Sequence, residues 1–349
     1  MKKQIFSLVG ALLALTACSD REQGLQELQA SDELSFINAV DRTKGYVTGV
    51  TFYDTEMAHL HDQSPATTGR TMHISAYLTP QDGSSSDYFR DSEFSVGNDS
   101  KWHHDPAIYW PIGGHLDFLA YSSKTPFEDK NAVWNETNAS AGITLDVLSD
   151  RLQDDIVFAA AQQSSSEGAN VVAMAFKHAQ AWIQFKVKAS DATMRDKIAV
   201  KAITLKNVYT SGSLNIARTA GNAEATWNFR HEVAADLIMP DNYQLYGTQE
   251  SASPYALTNA LDEDARYMDV LLPDQAKTDI VITYVLAGQP NELTFRFNLP
   301  NTNTTEANWL MGKKYVYEIT FSVNEITANP SVTEYVDGNV TDLTPTEVI

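Results

Sequence analysis

His103, His104 and Asp105 stand side by side, and imidazole nitrogen with carboxylate oxygen is a donor set that suits a divalent metal. Neighbouring side chains on an extended segment point to opposite faces, so these histidines could share one ion only across a sharp turn. A solvated loop is the expectation. A second group, Asp262, Glu263, Asp264 and Asp269, offers oxygen ligands of the kind calcium takes. Its spacing does not fit an EF-hand loop and reads as a solvated helix face. His231-Glu232 lacks the second histidine that a zinc helix needs, and the chain carries no G-x-S-x-G, G-x-G-x-x-G or phosphate loop. Trp102, Trp110, Trp182, Trp227 and Trp309 offer rings for stacking on sugars, but most fall inside alternating strands, where a core position is expected. The expected function is therefore not enzymatic, and no metal or cofactor is expected.

One further residue carries chemistry of a different kind. Cys18 is the only cysteine, and it follows Met1-Lys2-Lys3, an apolar run over residues 5–15, and Thr16-Ala17. That order of basic, apolar and small residues is the pattern of an export signal. The apolar run is too short to span a bilayer, which takes about 20 apolar residues. Leu15-Thr16-Ala17-Cys18 resembles the lipobox at which bacterial lipoproteins are lipidated on cysteine and cleaved. Residues 1–17 are then a lipoprotein signal peptide, and Cys18 heads the mature chain with an outer-membrane anchor. Residues 18–33, polar and acidic, read as a tether.

With 349 residues, 43% of them hydrophobic and 20% charged, the chain can bury a sizeable core and is long enough for two domains. The formal charge is −20; loss of Lys2 and Lys3 leaves 23 basic against 45 acidic residues, or −22. So acidic a surface repels phosphate backbones, and nucleic acid is not an expected partner. No cysteine remains for disulfides, so stability must come from packing. Its 14 Phe, 15 Tyr and 6 Trp suit that demand.

The elements read as strands. Residues 34–40 form a short apolar candidate, followed by Asp41-Arg42-Thr43-Lys44-Gly45, a turn-like stretch open to a trypsin-type protease. Met72, Ile74, Ala76 and Leu78 alternate with His73, Ser75 and Tyr77, which predicts a half-buried strand. Further strands are expected over 94–96, 116–120, 143–148, 156–161, 171–176 and 182–188, with a turn over 81–86. After a charged turn at 191–197, strands are expected over 200–209, 225–229, 268–272, 280–286, 293–299, 315–324 and 332–336. Short helices are expected only near 257–266 and 308–310. Many short strands without alternating helices predict an all-β chain of antiparallel sandwiches. The expected division is an N-terminal sandwich domain over 34–190 and a C-terminal one over 191–349.

Certain strings, in their order, are similar to the fimbrillin or Mfa-like family of Bacteroidales type V pilins. In the first half they are Ile74-Ser75-Ala76-Tyr77, Tyr109-Trp110-Pro111, Leu116-Asp117-Phe118-Leu119-Ala120-Tyr121, Asp155-Ile156-Val157-Phe158-Ala159 and Phe176-Lys177-His178-Ala179. In the second they are Leu271-Leu272-Pro273, Ile282-Thr283-Tyr284 and Trp309 with Gly312-Lys313-Lys314-Tyr315-Val316-Tyr317. Within these, His178 is expected to bond neighbouring backbone rather than to catalyse. The resemblance implies two tandem transthyretin-like β-sandwiches exported as a lipoprotein. It also implies that a trypsin-like protease cuts behind the first strand, and that another subunit's C-terminal strand fills the vacated groove. Strand 34–40 would be the removable one, Arg42 or Lys44 the cut, and 332–349 the donor. Arg42 precedes Thr43 and Lys44 precedes Gly45, where the family pattern has alanine. The role implied is a pilus subunit serving adhesion or biofilm formation, with other pilin subunits as partners. A non-polymerising surface lipoprotein that binds glycan or a host ligand is the competing expectation.

Overall fold

The computed structural model describes residues 33–38, 71–80, 86–98, 101–111, 113–123, 127, 132–135, 142–149, 154–164, 171–190, 197–219, 222–230, 232–239, 266–286, 288, 291–299, 307–322 and 326–334. They form strands and no α-helix. In chain order the first are β1 (Ser35–Asn38), β2 (Thr71–Thr79), β3 (Ser86–Val96), β4 (Trp102–His103), β5 (His115–Ser123) and β6 (Ala132–Asn135). Next come β7 (Gly142–Val147), β8 (Val157–Ser164), β9 (Val171–Met174), β10 (Lys177–His178) and β11 (Ala181–Ala189). They continue as β12 (Ile198–Val208), β13 (Gly212–Thr219), β14 (Asn222–Asn228), β15 (Ala235–Met239) and β16 (Arg266–Leu272). The last are β17 (Gln275–Ala276), β18 (Ile280–Leu286), β19 (Leu293–Phe297), β20 (Asn308–Trp309), β21 (Lys313–Phe321) and β22 (Ile326–Glu334). The all-β expectation holds.

An eight-stranded sheet runs in the order β10-β8-β5-β2-β3-β4-β1-β9. Four strand intervals separate β1 from β5, which in a flat sheet would hold them about 19 Å apart at about 4.8 Å each. Yet the rings of Phe36 on β1 and Phe118 on β5 lie 5.2 Å apart. The sheet therefore curls over until its ends close on a shared core, where Leu34, Phe36, Met72, Ile74, Phe94, Phe118 and Val172 are buried.

Its other face is covered too. The sheet β14-β13-β7-β6 packs there around Leu119, Tyr121, Ile143, Leu145, Phe158, Leu214 and Ile216. β2 is consequently not half-buried as its alternation predicts, because Ser75 and Tyr77 are as buried as Ile74 and Ala76. Strands buried on both faces lose the polar side of the period-two pattern.

The remaining core lies between the sheets β16-β11-β21-β22 and β15-β12-β18-β19. β21 buries Tyr315, Tyr317, Ile319 and Phe321 on one face, as its alternation predicts. Pro330 falls on β22, which among the described residues pairs with β21 alone; an edge strand is where proline's missing N–H is tolerated. The predicted strand at 332–336 thus begins earlier, at Ile326. Asn308 and Trp309, predicted as a helical turn, instead pair with Gln275 and Ala276. Trp309 is drawn into the core, where its Nε1 donates to the Tyr317 hydroxyl at 2.9 Å.

The pairings also cross residue 190. β11 lies in the C-terminal core beside β16 and β21. β13 returns from beyond residue 190 to pair with β7, and β15 then rejoins β12. Sheet and core membership is therefore interleaved across residue 190.

Candidate functional site

The four residues of β1 are inserted between β4 and β9. β1 runs parallel to β9, with Ser35 opposite Val171 and Asn38 opposite Met174, and meets β4 antiparallel with Phe36 opposite Trp102. The backbone of the preceding residues is engaged as well: Leu34 N–H donates to Ile108 C=O at 2.8 Å, and Glu33 bridges Tyr109. Leu34 and Phe36 are completely buried. The Phe36 ring meets Phe94 and Phe118 edge-on, at 5.0 and 5.2 Å between centroids, a favoured aromatic arrangement. A four-residue strand has little independent stability, so this packing between β4 and β9 holds it. Tyr88 closes the neighbourhood by donating from its hydroxyl to Tyr109 C=O at 2.6 Å. Burial pushes that hydroxyl above its ordinary pKa.

His103, the first of the adjacent histidines, belongs to this site. Its Nδ1 lies 3.0 Å from Glu33 Oε1, so the ring holds the entry to β1. The His104 Nδ1 donates instead to Pro106 C=O at 2.7 Å. The two rings serve different partners and do not converge. His103 lies on a strand and not in the solvated loop expected. Among the described residues no cluster of three or more acidic, histidine or cysteine side chains is placed to hold a metal.

The tryptophans do not form an exposed platform. Trp102, Trp110, Trp182 and Trp309 are 3%, 9%, 6% and 0% exposed, and half-buried Trp227 donates from Nε1 to Ala179 C=O. His178, expected against backbone, instead faces the buried Asp155 carboxylate at 2.9 Å. The adjoining residues act as a junction: Ile156 N–H donates to Gln180 Oε1, Ala179 N–H to Ile156 C=O, and Gly312 N–H to Gln180 C=O. Gly312 sits at φ +70° in the turn before β21, a conformation that favours glycine.

Cys18, Arg42, Lys44, His231 and the acidic residues 262–264 lie outside the described residues, as do the tether 18–33 except Glu33, the expected turn at 81–85, and the tail 335–349. Asp269 falls on β16, and the expected helix at 257–266 lies outside the described residues except Arg266, the first residue of that strand. Sequence reasoning found β1 from its apolar run but missed the clamp of His103 on Glu33. These residues are 70 positions apart, and no local pattern joins them.

A family profile described as fimbrillin-like matches residues 62–334. The chain belongs to the fimbrillin-like family. Among solved structures, this family member is similar to a fimbrial protein from Bacteroides vulgatus, at 16% identity and a TM-score of 0.56. That match covers 87% of this chain and 100% of the other. A candidate cell adhesion protein from Bacteroides uniformis gives 15% identity and a TM-score of 0.52, covering 87% and 99%. One from Bacteroides ovatus gives 14% and 0.52, covering 88% and 99%. At these identities the likeness speaks for the fold. No curated protein sequence matches.

Proposed function

We propose that this protein is a structural subunit of a cell-surface pilus that assembles by strand exchange and supports adhesion or biofilm formation. The observation that carries the reading is β1 itself: a short strand with both apolar side chains fully buried, slotted between β4 and β9. Removing it would leave two unpaired sheet edges above an apolar trough, a template for an incoming strand that supplies backbone hydrogen bonds and alternate side chains.

In this proposal the chain is exported as a lipoprotein on Cys18 and held at the outer membrane. A trypsin-like protease cuts after Arg42 or Lys44, releasing lipid and first strand together. Residues 332–349 then act as donor to a neighbouring subunit. The two tandem transthyretin-like domains implied by the family resemblance belong to the same proposal, with β11 and β13–β14 exchanged between them. The burial of Trp102, Trp110 and Trp309 counts against the competing glycan-binding lipoprotein, which would need them exposed in a groove.

N-terminal sequencing of protein recovered from cells tests the processing. A lipidated Cys18 in precursor and a new terminus at Thr43 or Gly45 in polymer are expected. Cleaved protein should give ladders that persist in SDS until heated. Cleaved protein that enters no such ladder in cells, with copies of itself or with other pilin subunits, would sink the polymerising reading.

A further inference from the structure

We infer that the slot occupied by β1 selects its incoming strand by a four-position pattern: a carboxylate, a large aliphatic residue, a small residue, and an aromatic ring. This rests on the strand-exchange reading and specifies the partner, a strand of another subunit bearing that pattern. Each position is read from what now fills it. The Glu33 carboxylate lies 3.0 Å from His103 Nδ1, which places a hydrogen-bonding ring where a carboxylate is accepted. Leu34 is fully buried in the apolar core. Ser35 is 5% exposed, so a larger side chain there would overpack its surroundings. Phe36 fills the space between the Phe94 and Phe118 rings, and a smaller residue would leave a cavity.

Within residues 335–349, only Asp342-Leu343-Thr344-Pro345 repeats the first three positions: acid, leucine, small hydroxyl residue. It puts Pro345 where the ring belongs. Proline underfills the space left by phenylalanine and brings no N–H to the flanking edges. This tail is therefore a poor donor to its own slot, and a strand with an aromatic at that position is the better fit. The expected assembly places a different subunit, rather than a second copy, in this slot.

The test uses the full chain with a specific protease site in place of residues 42–44, cut so that the native first strand can be displaced. Labelled peptides compete for the slot: residues 31–40, the same peptide with Glu33→Gln or Phe36→Pro, and residues 338–349. The native peptide is expected to bind most tightly. Glu33→Gln should weaken it about two- to fivefold, the range of one partly exposed hydrogen bond. Phe36→Pro and the 338–349 peptide should each bind at least about tenfold more weakly. In a His103→Ala protein the difference between Glu33 and Gln peptides should vanish; if it persists, the carboxylate position is wrong. Equal binding of 31–40 and 338–349 overturns the pattern while leaving strand exchange standing. Failure of every peptide, the native sequence included, overturns strand exchange itself and the pattern with it.

Discussion

Arg218 reaches from β13 across to Asp117 on β5, its Nη1 2.7 Å from Oδ1, with both side chains nearly buried. The same carboxylate oxygen accepts from Gln162 Nε2 at 2.7 Å, and the guanidinium lies 5.3 Å from the centre of the Tyr77 ring. A buried pair contributes little net stability compared with apolar packing, but half of one is costly, because the remaining charge has neither water nor partner. Asp117→Ala should therefore lower stability by about 3–5 kcal/mol in urea unfolding. Replacing both residues by apolar ones of similar size should cost clearly less. Asp274 presents the opposite case, since burial pushes its carboxyl above the ordinary value of 3.8. A raised acid favours the protonated form in the folded state. Its unfavourable contribution is absent below the ordinary value, grows through the interval up to the raised one, and is fully present above it. Asp274→Asn should accordingly melt higher than the parent at pH 7 and converge with it near pH 3; equal melting temperatures at pH 7 would refute this.

At the scale of elements, β21 shows what a sequence can disclose. Its tyrosines, isoleucine and phenylalanine alternate with the less buried Val316, Glu318 and Thr320 because one face is core and the other is not. The first strand was legible for the same reason, through the apolar side chains at 34 and 36. By contrast, residues 86–93 of β3 are half-buried at most, so polar side chains and the rings of Tyr88 and Phe89 mix there without a period. The strand β20 has two residues, too few for any period, and only its pairing with β17 makes it a strand. Sheet partners stayed hidden: β11 and β21 pair side by side with Ile183 opposite Tyr315, a relation that no local signal encodes. Trp309 and Tyr317 show how such short elements are fixed. The indole N–H donates to a hydroxyl that burial pushes far above its ordinary pKa. Tyr317→Phe should leave that donor unsatisfied and cost about 1–3 kcal/mol. Adding Trp309→Phe to it should cost less than the sum of the two single changes, as a thermodynamic cycle in denaturant would show.

For the whole molecule, the decisive property is that chain order and core membership do not coincide. A fragment ending at residue 190 would carry β11, which belongs beside β16 and β21, and expose Ile183, Phe185 and Val187 without their core. It would also lack β13 and β14, which cover Leu119, Tyr121 and Phe158 on the second face of the eight-stranded sheet. The complementary fragment would lack the strand that joins β16 to β21, leaving that sheet in two pieces. Each fragment thus exposes apolar area whose burial contributes about 25 cal/mol per Å², and a domain's net stability is only about 5–15 kcal/mol. The His178–Asp155 pair and the Gln180 bonds at the crossing would be divided from Gly312 as well. Residues 34–190 and 191–349 made separately should therefore give poorly dispersed amide NMR spectra and low solubility. Mixed during refolding, they should recover the dispersed spectrum of the intact chain as a noncovalent complex. A native-like spectrum from 34–190 alone would show that the crossing strands are dispensable, and would overturn this account of how the cores depend on each other.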